Sequence, residues 1–178
     1  WFLSAGVIMN FLLSIVIFSF LYFHTPPGEL VEEPIIHKVH ESIPSIQKGD
    51  TITVPSPASQ LGLKENDRII KINDIVINTW SDIGKNLSNK GDSTIIVEWA
   101  TENGSTKSSS VTLVGRPAFD GKKIINQGVL GVQGYIIYRE LNFFESIKIA
   151  TINTGNIIVN SFYGFVAIIS GNMPLKYV

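Results

Sequence analysis

The sequence predicts an α+β domain that is flanked by an apolar helix on its N-terminal side and an amphipathic helix on its C-terminal side. Of the 29 charged residues, 28 lie in the 120 residues from Glu29 to Lys148, and both ends are nearly uncharged. Short alternating segments separated by Gly, Asn and Asp fill the middle of the chain, which is typical of strands and tight turns. From Leu141 to about Ser170 the apolar spacing becomes helical.

Composition excludes several classes of function. The net charge of −1 leaves no basic surface, so nucleic acid is not expected as a partner. The chain has no cysteine, which excludes disulfides, thiolate zinc sites and a cysteine nucleophile. The first residue is Trp1 and not methionine, and we expect the chain to be a piece of a longer protein.

Residues 1–23 predict a transmembrane helix. They carry no charge, and at about 1.5 Å per residue a helix of this length crosses the ~30 Å core of a bilayer. The alternative is a signal peptide, which would have a basic start, a shorter apolar run and small residues before a cleavage site. Pro26-Pro27-Gly28 ends the helix, and residues 24–33 form a juxtamembrane linker.

Asn10 lies near the centre of this apolar span. An amide in hydrocarbon is costly unless it hydrogen-bonds another helix, so we expect the helix to pack against partners outside this chain. Gly6, on the preceding turn, would allow the close approach of such a helix. A lone tolerated asparagine is the alternative.

Two helices and several strands are predicted in the middle domain, residues 34–136. Ser56 to Leu63 reads as a short helix with Ser56 as its N-cap and Gly62 as its stop. A second helix, Asp82 to Leu87, places Ile83 and Leu87 on one face. The predicted strands are Pro34–Val39, Asp67–Asn73, Ile75–Ile77, and a hairpin of Thr94–Ala100 with Ser108–Val114, whereas 115–127 is predicted as a loop.

The run from Ser56-Pro57-Ala58 through Gly62-Leu63-Lys64 to Asp67-Arg68-Ile69-Ile70-Lys71-Ile72-Asn73 resembles the central signature of bacterial PDZ domains. The family usually has glycine where this chain has Asn66 and Asp74. Asn and Asp are the other residues that best tolerate left-handed backbone at turns. The resemblance implies an α+β PDZ domain of the permuted bacterial type over the middle domain.

The PDZ resemblance implies a peptide-binding site, because such domains add a peptide as a strand and hold its carboxylate on backbone N–H groups. Ile83 and Leu87 would form the helix wall of this site. In the permuted arrangement the carboxylate loop lies near the C-terminal end of the domain. The matching residues are Gly128, Val129, Leu130, Gly131 and Val132. The alternative is that this run is only a core strand.

The segment 141–170 predicts an amphipathic or membrane-associated helix. Asn153, Asn156, Asn160 and Gly164 recur at a spacing of three to four residues and form a polar stripe. Such a stripe favours a helix that lies at the membrane or against other helices, with a second span as the alternative. Residues 171–178 are expected to begin the next membrane-region segment.

The order of these parts resembles the middle of the site-2 protease family, intramembrane zinc metalloproteases of multi-pass membrane proteins. The helix before the PDZ domain in that family usually carries Ala-Gly-Pro-x-x-Asn-Phe. This chain has Ala5-Gly6-Val7-Ile8-Met9-Asn10-Phe11, so valine replaces the proline. The resemblance also extends to residues 171–178, after which the family commonly has Ser-Gly-Pro.

This larger resemblance implies regulated intramembrane proteolysis in a bacterial cell membrane, with the PDZ domain on the extracytoplasmic side. The domain would gate or recognise a transmembrane substrate through its cleaved C-terminus. Zinc in the parent protein would be bound by residues outside this chain, so the fragment has no catalytic residue and no metal ligand of its own. Its partners would be the substrate, the remaining membrane helices and lipid. The alternative is a non-enzymatic membrane-anchored PDZ scaffold or secretion component.

Overall fold

The protein is described by a computed structural model that covers residues 2–47, 50–120 and 123–169. The chain divides into two compact units: the helical unit, which contains Trp1–Glu29 and Ile137–Val178, and the middle domain, Leu30–Asp120 with Ile124–Ile136. The class is mixed α+β. The helices are α1 (Phe2–His24), α2 (Pro57–Leu61), α3 (Trp80–Leu87) and α4 (Phe143–Ile169), and the strands are β1 (Glu29–Leu30), β2 (Ile36–Val39), β3 (Ser42–Gln47), β4 (Asp50–Pro55), β5 (Arg68–Ile72), β6 (Ile75–Val76), β7 (Thr94–Ala100), β8 (Thr106–Thr112), β9 (Val114–Phe119), β10 (Ile124–Val129), β11 (Val132–Gly134) and β12 (Ile136–Ile137).

The helical unit consists of α1 packed against α4. Ser19 of α1 and Ala150 of α4 are buried, and the Asn153 amide donates a hydrogen bond to the Tyr22 hydroxyl at 3.2 Å. Asn153 of the predicted polar stripe therefore faces α1, whereas Asn156 and Asn160 are exposed. Within the described residues, Ala5–His24 is the one helical segment long and apolar enough to cross a membrane.

Helix α4 begins two residues after the predicted start at Leu141, and its N-terminus has reciprocal capping. The Asn142 side chain accepts a hydrogen bond from the Glu145 N–H at 2.9 Å, and the Glu145 carboxylate accepts one from the Asn142 N–H at 3.1 Å. Both bonds satisfy amide donors that have no partner within the helix. Arg139 contacts Glu145 at 3.3 Å and Glu29 at 3.2 Å, and so connects the segments next to the two helices. Residues 171–178, predicted to start another segment, lie outside the described part of the chain.

The middle domain is built on a four-stranded antiparallel sheet in the order β6-β5-β7-β8. Alternate residues of β7 face one core, as the period of two requires, whereas an irregularity in the β5–β7 register between Ile69 and Lys71 lets residues three apart in β5 face the same core. Ile69 and Ile72 of β5 and Val97 of β7 are fully buried there. Separate two-stranded antiparallel pairs are formed by β2 with β11, β3 with β4, and β9 with β10.

The two short helices of the middle domain begin and end at or near the predicted residues. Helix α2 has Ser56 as N-cap, and Gly62 closes it at φ +71°. Helix α3 begins two residues earlier than predicted, because Thr79 and Asp82 form a reciprocal capping box that the sequence reading did not include. The turn at Asn66 is left-handed as expected, at φ +67°, but in the next turn the left-handed residue is Asn73 and not Asp74.

The prediction of a loop over 115–127 was wrong. This segment forms most of β9 and β10, which pair antiparallel with Gly128 opposite Gly115. Clustered Gly, Pro, Asp and Lys favoured a loop, but Gly115 and Pro117 lie within β9, and Asp120 and Lys123 belong to the connection between the two strands. The hairpin of β3 and β4 was not predicted either, although Thr51-Ile52-Thr53-Val54 alternates between polar and apolar residues.

Candidate peptide-binding groove

A groove of about 480 Å³ opens in the middle domain between α3 and the segment that joins β10 to β11. Helix α3 contributes one wall, with Ile83 and Leu87 on the face predicted from their spacing. The opposite wall is the run Gly128 to Val132. The remaining lining residues are Trp80, Gly84, His40, Ser42, Ile43, Pro44, Arg116 and Gln127.

The joining segment Leu130-Gly131 presents two backbone N–H groups that have no hydrogen-bond acceptor among the described residues. Its carbonyl groups, in contrast, are both used. Leu130 O accepts from the Ala58 N–H at 2.8 Å, and Gly131 O accepts from the His40 N–H at 2.9 Å. Since buried backbone donors are nearly always paired, two adjacent unpaired N–H groups at a groove indicate a site for an anionic or carbonyl ligand.

Glycine is required at residue 131 by both its backbone and its surroundings. Its φ is +90°, a region that side-chain-bearing residues rarely adopt. A Cβ atom there would lie 2.6 Å from the Ser56 Cβ. Gly128 is also confined, because a Cβ at that position would lie 3.1 Å from the Leu87 carbonyl oxygen of the opposite wall. The loop backbone therefore lies close to Ser56 at the start of α2 and to Leu87 of α3.

Strand β11 leaves one edge open towards the groove. It pairs with β2 in a two-stranded sheet, and no second partner strand is present in the described part of the chain. The Trp80 ring lies against Gly134 at the end of β11, with only 2.8 Å between the ring and the position of a Cβ. An unpaired strand edge beside a helix is the geometry in which an extended peptide adds as a further strand.

The hairpin of β3 and β4 closes one end of the groove. Ile43 and Pro44 line it, and Arg116 of β9 holds the hairpin by donating from Nε and Nη2 to the Pro44 carbonyl oxygen at 3.2 and 3.1 Å. Arg116 itself lines the groove, and so does His40. The end of the groove is therefore polar and carries one permanent positive charge, whereas the helix wall is apolar.

The start of α3 is held by the Asp82 carboxylate. The pKa of this group is lowered, first by the hydrogen bond from the Thr79 N–H and then by the Thr79 hydroxyl and the Asn78 N–H. The Thr79 N–H donates to Asp82 at 2.9 Å. The ionised carboxylate also lies at the positive end of the helix dipole. This charge fixes the first turn of the helix wall.

The described residues do not fit a zinc site. No group of three or more His, Asp or Glu side chains that could hold a metal ion occurs among residues 2–47, 50–120 and 123–169. His37 lies 3.8 Å from Glu65, and its ring packs against that of Tyr135 at a tilt of 43°. His40 lines the groove, separate from that pair.

The structure brings all seven predicted peptide-site residues to one groove, although whether a peptide binds there stays a prediction. Asn10 lines a different cavity, within the helical unit, and no atom lies within 4 Å of a Cβ built on Gly6. Sequence reasoning missed the end of the groove. Arg116 and Gln127 lay in the supposed loop, and Ser42, Ile43 and Pro44 lay in the unpredicted hairpin.

Comparison with known proteins finds distant relatives that match along the whole chain. No family model matches it. It is 29% identical over 173 residues, 97% of its length, to a Clostridium acetobutylicum protein named "Putative zinc metalloprotease". A Fusobacterium nucleatum protein of the same name is 29% identical over 179 residues, 99% of the chain. A third protein of that name, from Mesorhizobium japonicum, is 31% identical over 91 residues, 51% of the chain.

The chain is thus a distant homologue of proteins named as zinc metalloproteases. It spans less than half the length of the two relatives that it matches throughout, 43% of the Clostridium protein and 46% of the Fusobacterium protein. More than half of each of those relatives therefore has no counterpart in the 178 residues of this chain.

Proposed function

We propose that this chain is the membrane helix, PDZ-type peptide-binding domain and following helix of an intramembrane zinc metalloprotease of the site-2 class. The end-to-end homology to the named metalloproteases supports this proposal. So does an apolar helix long enough to cross a bilayer. Zinc and its ligands belong to the portion of the parent protein outside this chain.

The groove is the part of the proposed enzyme that this chain supplies. The single observation that carries this assignment is the pair of unpaired N–H groups of Leu130 and Gly131 at the end of an open strand edge. A terminal carboxylate accepts hydrogen bonds from such donors, and charge-assisted bonds are about twice as strong as neutral ones. Arg116 adds positive charge at the same groove. We infer that the ligand is the free C-terminus of a membrane protein already shortened by a first cleavage.

The helix wall sets the preference for the last side chain of the ligand. Ile83 and Leu87 are 4% exposed and contribute to the domain core as well as to the groove. Leu130, at 2% exposed, lies on the opposite side. An apolar terminal residue would therefore be preferred, because it buries hydrocarbon surface worth about 25 cal/mol per Å².

The test is a titration of the purified 178-residue chain in detergent with two peptides that share an apolar C-terminal residue. One peptide has a free carboxylate and the other a C-terminal amide. We expect the peptide acid to bind at least tenfold more tightly than the peptide amide. The amide lacks the negative charge, and its own N–H donors would face the N–H donors of Leu130 and Gly131. Equal binding of both peptides would reject carboxylate recognition, and absence of binding by either would leave only steric gating.

The enzymatic part of the proposal is tested on the full-length protein reconstituted in lipid vesicles. We expect it to cleave a shortened transmembrane substrate, and we expect a zinc chelator to abolish the cleavage and added zinc to restore it. A full-length protein that binds peptide acids without any chelator-sensitive cleavage would instead be a membrane-anchored scaffold.

A further inference from the structure

We propose that the polar end of the peptide groove selects ligands with an acidic side chain at the second-to-last residue, and that Arg116, His40 and Ser42 bind this side chain. The inference rests on the proposed function, in which the groove takes the free C-terminus of a shortened membrane protein. It narrows the substrate class to C-termini in which an acidic residue precedes an apolar terminal residue.

The lining of the groove carries positive charge without negative charge. Arg116 and His40 line it, and no Asp or Glu side chain does so among the described residues. The whole chain, in contrast, has 15 acidic and 14 basic residues. Complementary charge between a site and its partner raises the association rate and disfavours wrong partners. The groove is therefore suited to a ligand that carries more than one negative charge.

The Arg116 guanidinium keeps free donors and an unneutralised charge. Of its five N–H donors, one on Nε and one on Nη2 bond the Pro44 carbonyl oxygen, at 3.2 and 3.1 Å, which leaves three on Nη1 and Nη2. Arg116 is half-buried, and no carboxylate contacts it within the described part of the chain. Arg139, in contrast, contacts both Glu29 and Glu145. A planar guanidinium fork that is free in this way binds a carboxylate with well-defined geometry.

His40 and Ser42 provide two further donors beside Arg116. The His40 N–H donates to the Gly131 carbonyl oxygen at 2.9 Å, so His40 lies next to the loop that would hold the terminal carboxylate. Both residues line the groove, and neither side chain has a hydrogen-bond partner among the described residues. Glu41, between them, does not line the groove. An imidazole and a hydroxyl each offer a donor to a carboxylate.

The alternation of a strand assigns these donors to the second-to-last residue of the ligand. In the proposed complex the terminal side chain lies on the helix wall of Ile83 and Leu87. Successive side chains of an extended peptide point to opposite faces, so the preceding side chain points away from α3. The lining away from α3 includes His40, Ser42 and Arg116. An aspartate or glutamate side chain at this ligand residue would accept hydrogen bonds from them.

The experiment is a titration of the purified 178-residue chain in detergent with three peptides that end in the same apolar residue. The first has Glu as its second-to-last residue and Gln as the fifth residue from the end. The second has these two residues exchanged, so that composition and net charge are identical. The third is the first peptide with a C-terminal amide, which tests recognition of the terminal carboxylate separately.

We expect the first peptide to bind about fivefold to tenfold more tightly than the second, as a partly exposed charge-assisted contact would give. The ratio should shrink at high ionic strength, because salt screens partly exposed charges. The alternative is that Arg116 binds only the terminal carboxylate, and the first two peptides would then bind equally.

Arg116→Gln should reduce the affinity for the first peptide to that for the second. If Arg116 acted only by holding Pro44, both peptides would weaken by the same factor and their ratio would stay as in the wild type. Arg68→Gln removes an exposed arginine that does not line the groove, and it should retain the ratio. Ser42→Ala and His40→Phe should each lower the ratio about twofold and leave the Arg116 bonds to Pro44 in place.

Equal affinity for the first two peptides would overturn this inference, and so would an unchanged ratio in Arg116→Gln. In either case a weaker third peptide would still support the proposed recognition of the terminal carboxylate. If the third peptide binds as tightly as the first, that recognition fails, whereas the ratio of the first two peptides still decides whether an acidic side chain is bound. Absence of binding by all three would overturn both.

Discussion

The Arg116 guanidinium donates two hydrogen bonds to one carbonyl oxygen, that of Pro44, at 3.2 and 3.1 Å. The bonds join β9 to a hairpin that is 72 residues away in sequence. Because Pro44 and Arg116 both line the groove, this contact sets the position of the groove end. A substitution at Arg116 is therefore expected to affect the hairpin and the ligand together.

Arg116→Met should loosen the hairpin and weaken the binding of a peptide acid. A charge-assisted bond to a partly exposed carbonyl contributes about 1 kcal/mol, so we expect a several-fold loss of affinity with little change in global stability. Hydrogen exchange should rise in Ser42–Gln47 and not in β5. Arg68→Met, which removes an exposed arginine on β5, is the matched control. Unchanged exchange in the hairpin would show that the bonds do not hold it.

Gly131→Ala should disrupt the loop. The new side chain must adopt φ +90° and approach the Ser56 Cβ, so the free energy of unfolding should fall by about 2 kcal/mol or more. Chemical denaturation measures this loss, and peptide titration should show loss of binding. Gly104→Ala is the control. Gly104 lies in the β7–β8 turn at φ +80°, and a Cβ there would meet no atom within 4 Å, so this variant has the backbone strain without the steric contact. Equal losses in both variants would mean that the Ser56 contact contributes nothing.

Two glycines next to the groove should respond to alanine in opposite directions. Gly84 lies inside α3 and a Cβ there meets no atom within 4 Å, so Gly84→Ala should stabilise the helix by about 1 kcal/mol. Gly115→Ala should destabilise, because its Cβ would lie 2.4 Å from the side-chain oxygens of Asn126 and Asp92. Those side chains are held by their own bond of 2.9 Å. Thermal unfolding of both variants should shift with opposite signs.

The cap of α3 should make stability depend on pH in the acid range. The pKa of Asp82 is lowered in the folded protein, chiefly by the hydrogen bond from the Thr79 N–H. A lowered folded pKa gives stability that is fully present above the unfolded value of 3.8 and is lost as the pH falls through the folded value. Asp82→Asn should therefore unfold at a lower temperature than the wild type at pH 7.

The difference between Asp82→Asn and the wild type should shrink as the pH falls below 3.8 and then through the lower pKa of Asp82 in the folded protein, where protonation removes the same charge from the folded wild type. Asp74→Asn provides the comparison, since Asp74 is exposed in a turn and no hydrogen bond to its side chain occurs among the described residues. A destabilisation by Asp82→Asn that stays constant from pH 7 to pH 3 would indicate that the cap depends on shape and not on charge.

Sequence alone determined the features that depend on neighbouring residues. The ends of α2 follow from Ser56 and Gly62, and the apolar run that forms α1 follows from composition. Ile83 and Leu87 share a face because they are four residues apart on a helix. These effects act within one or two turns of the chain, so they can be read directly from the sequence.

Only the tertiary structure decided how the groove is closed and which polar groups remain unpaired. The contact between Arg116 and Pro44 depends on the packing of two hairpins, and the sequence pattern within each hairpin does not predict that they pack together. The same is true of Thr154, because nothing in the residues around it in the sequence shows that its hydroxyl is buried without a hydrogen-bond partner among the described residues. Such features depend on which distant segments pack together, and that is decided by the total burial of apolar surface and not by local propensity.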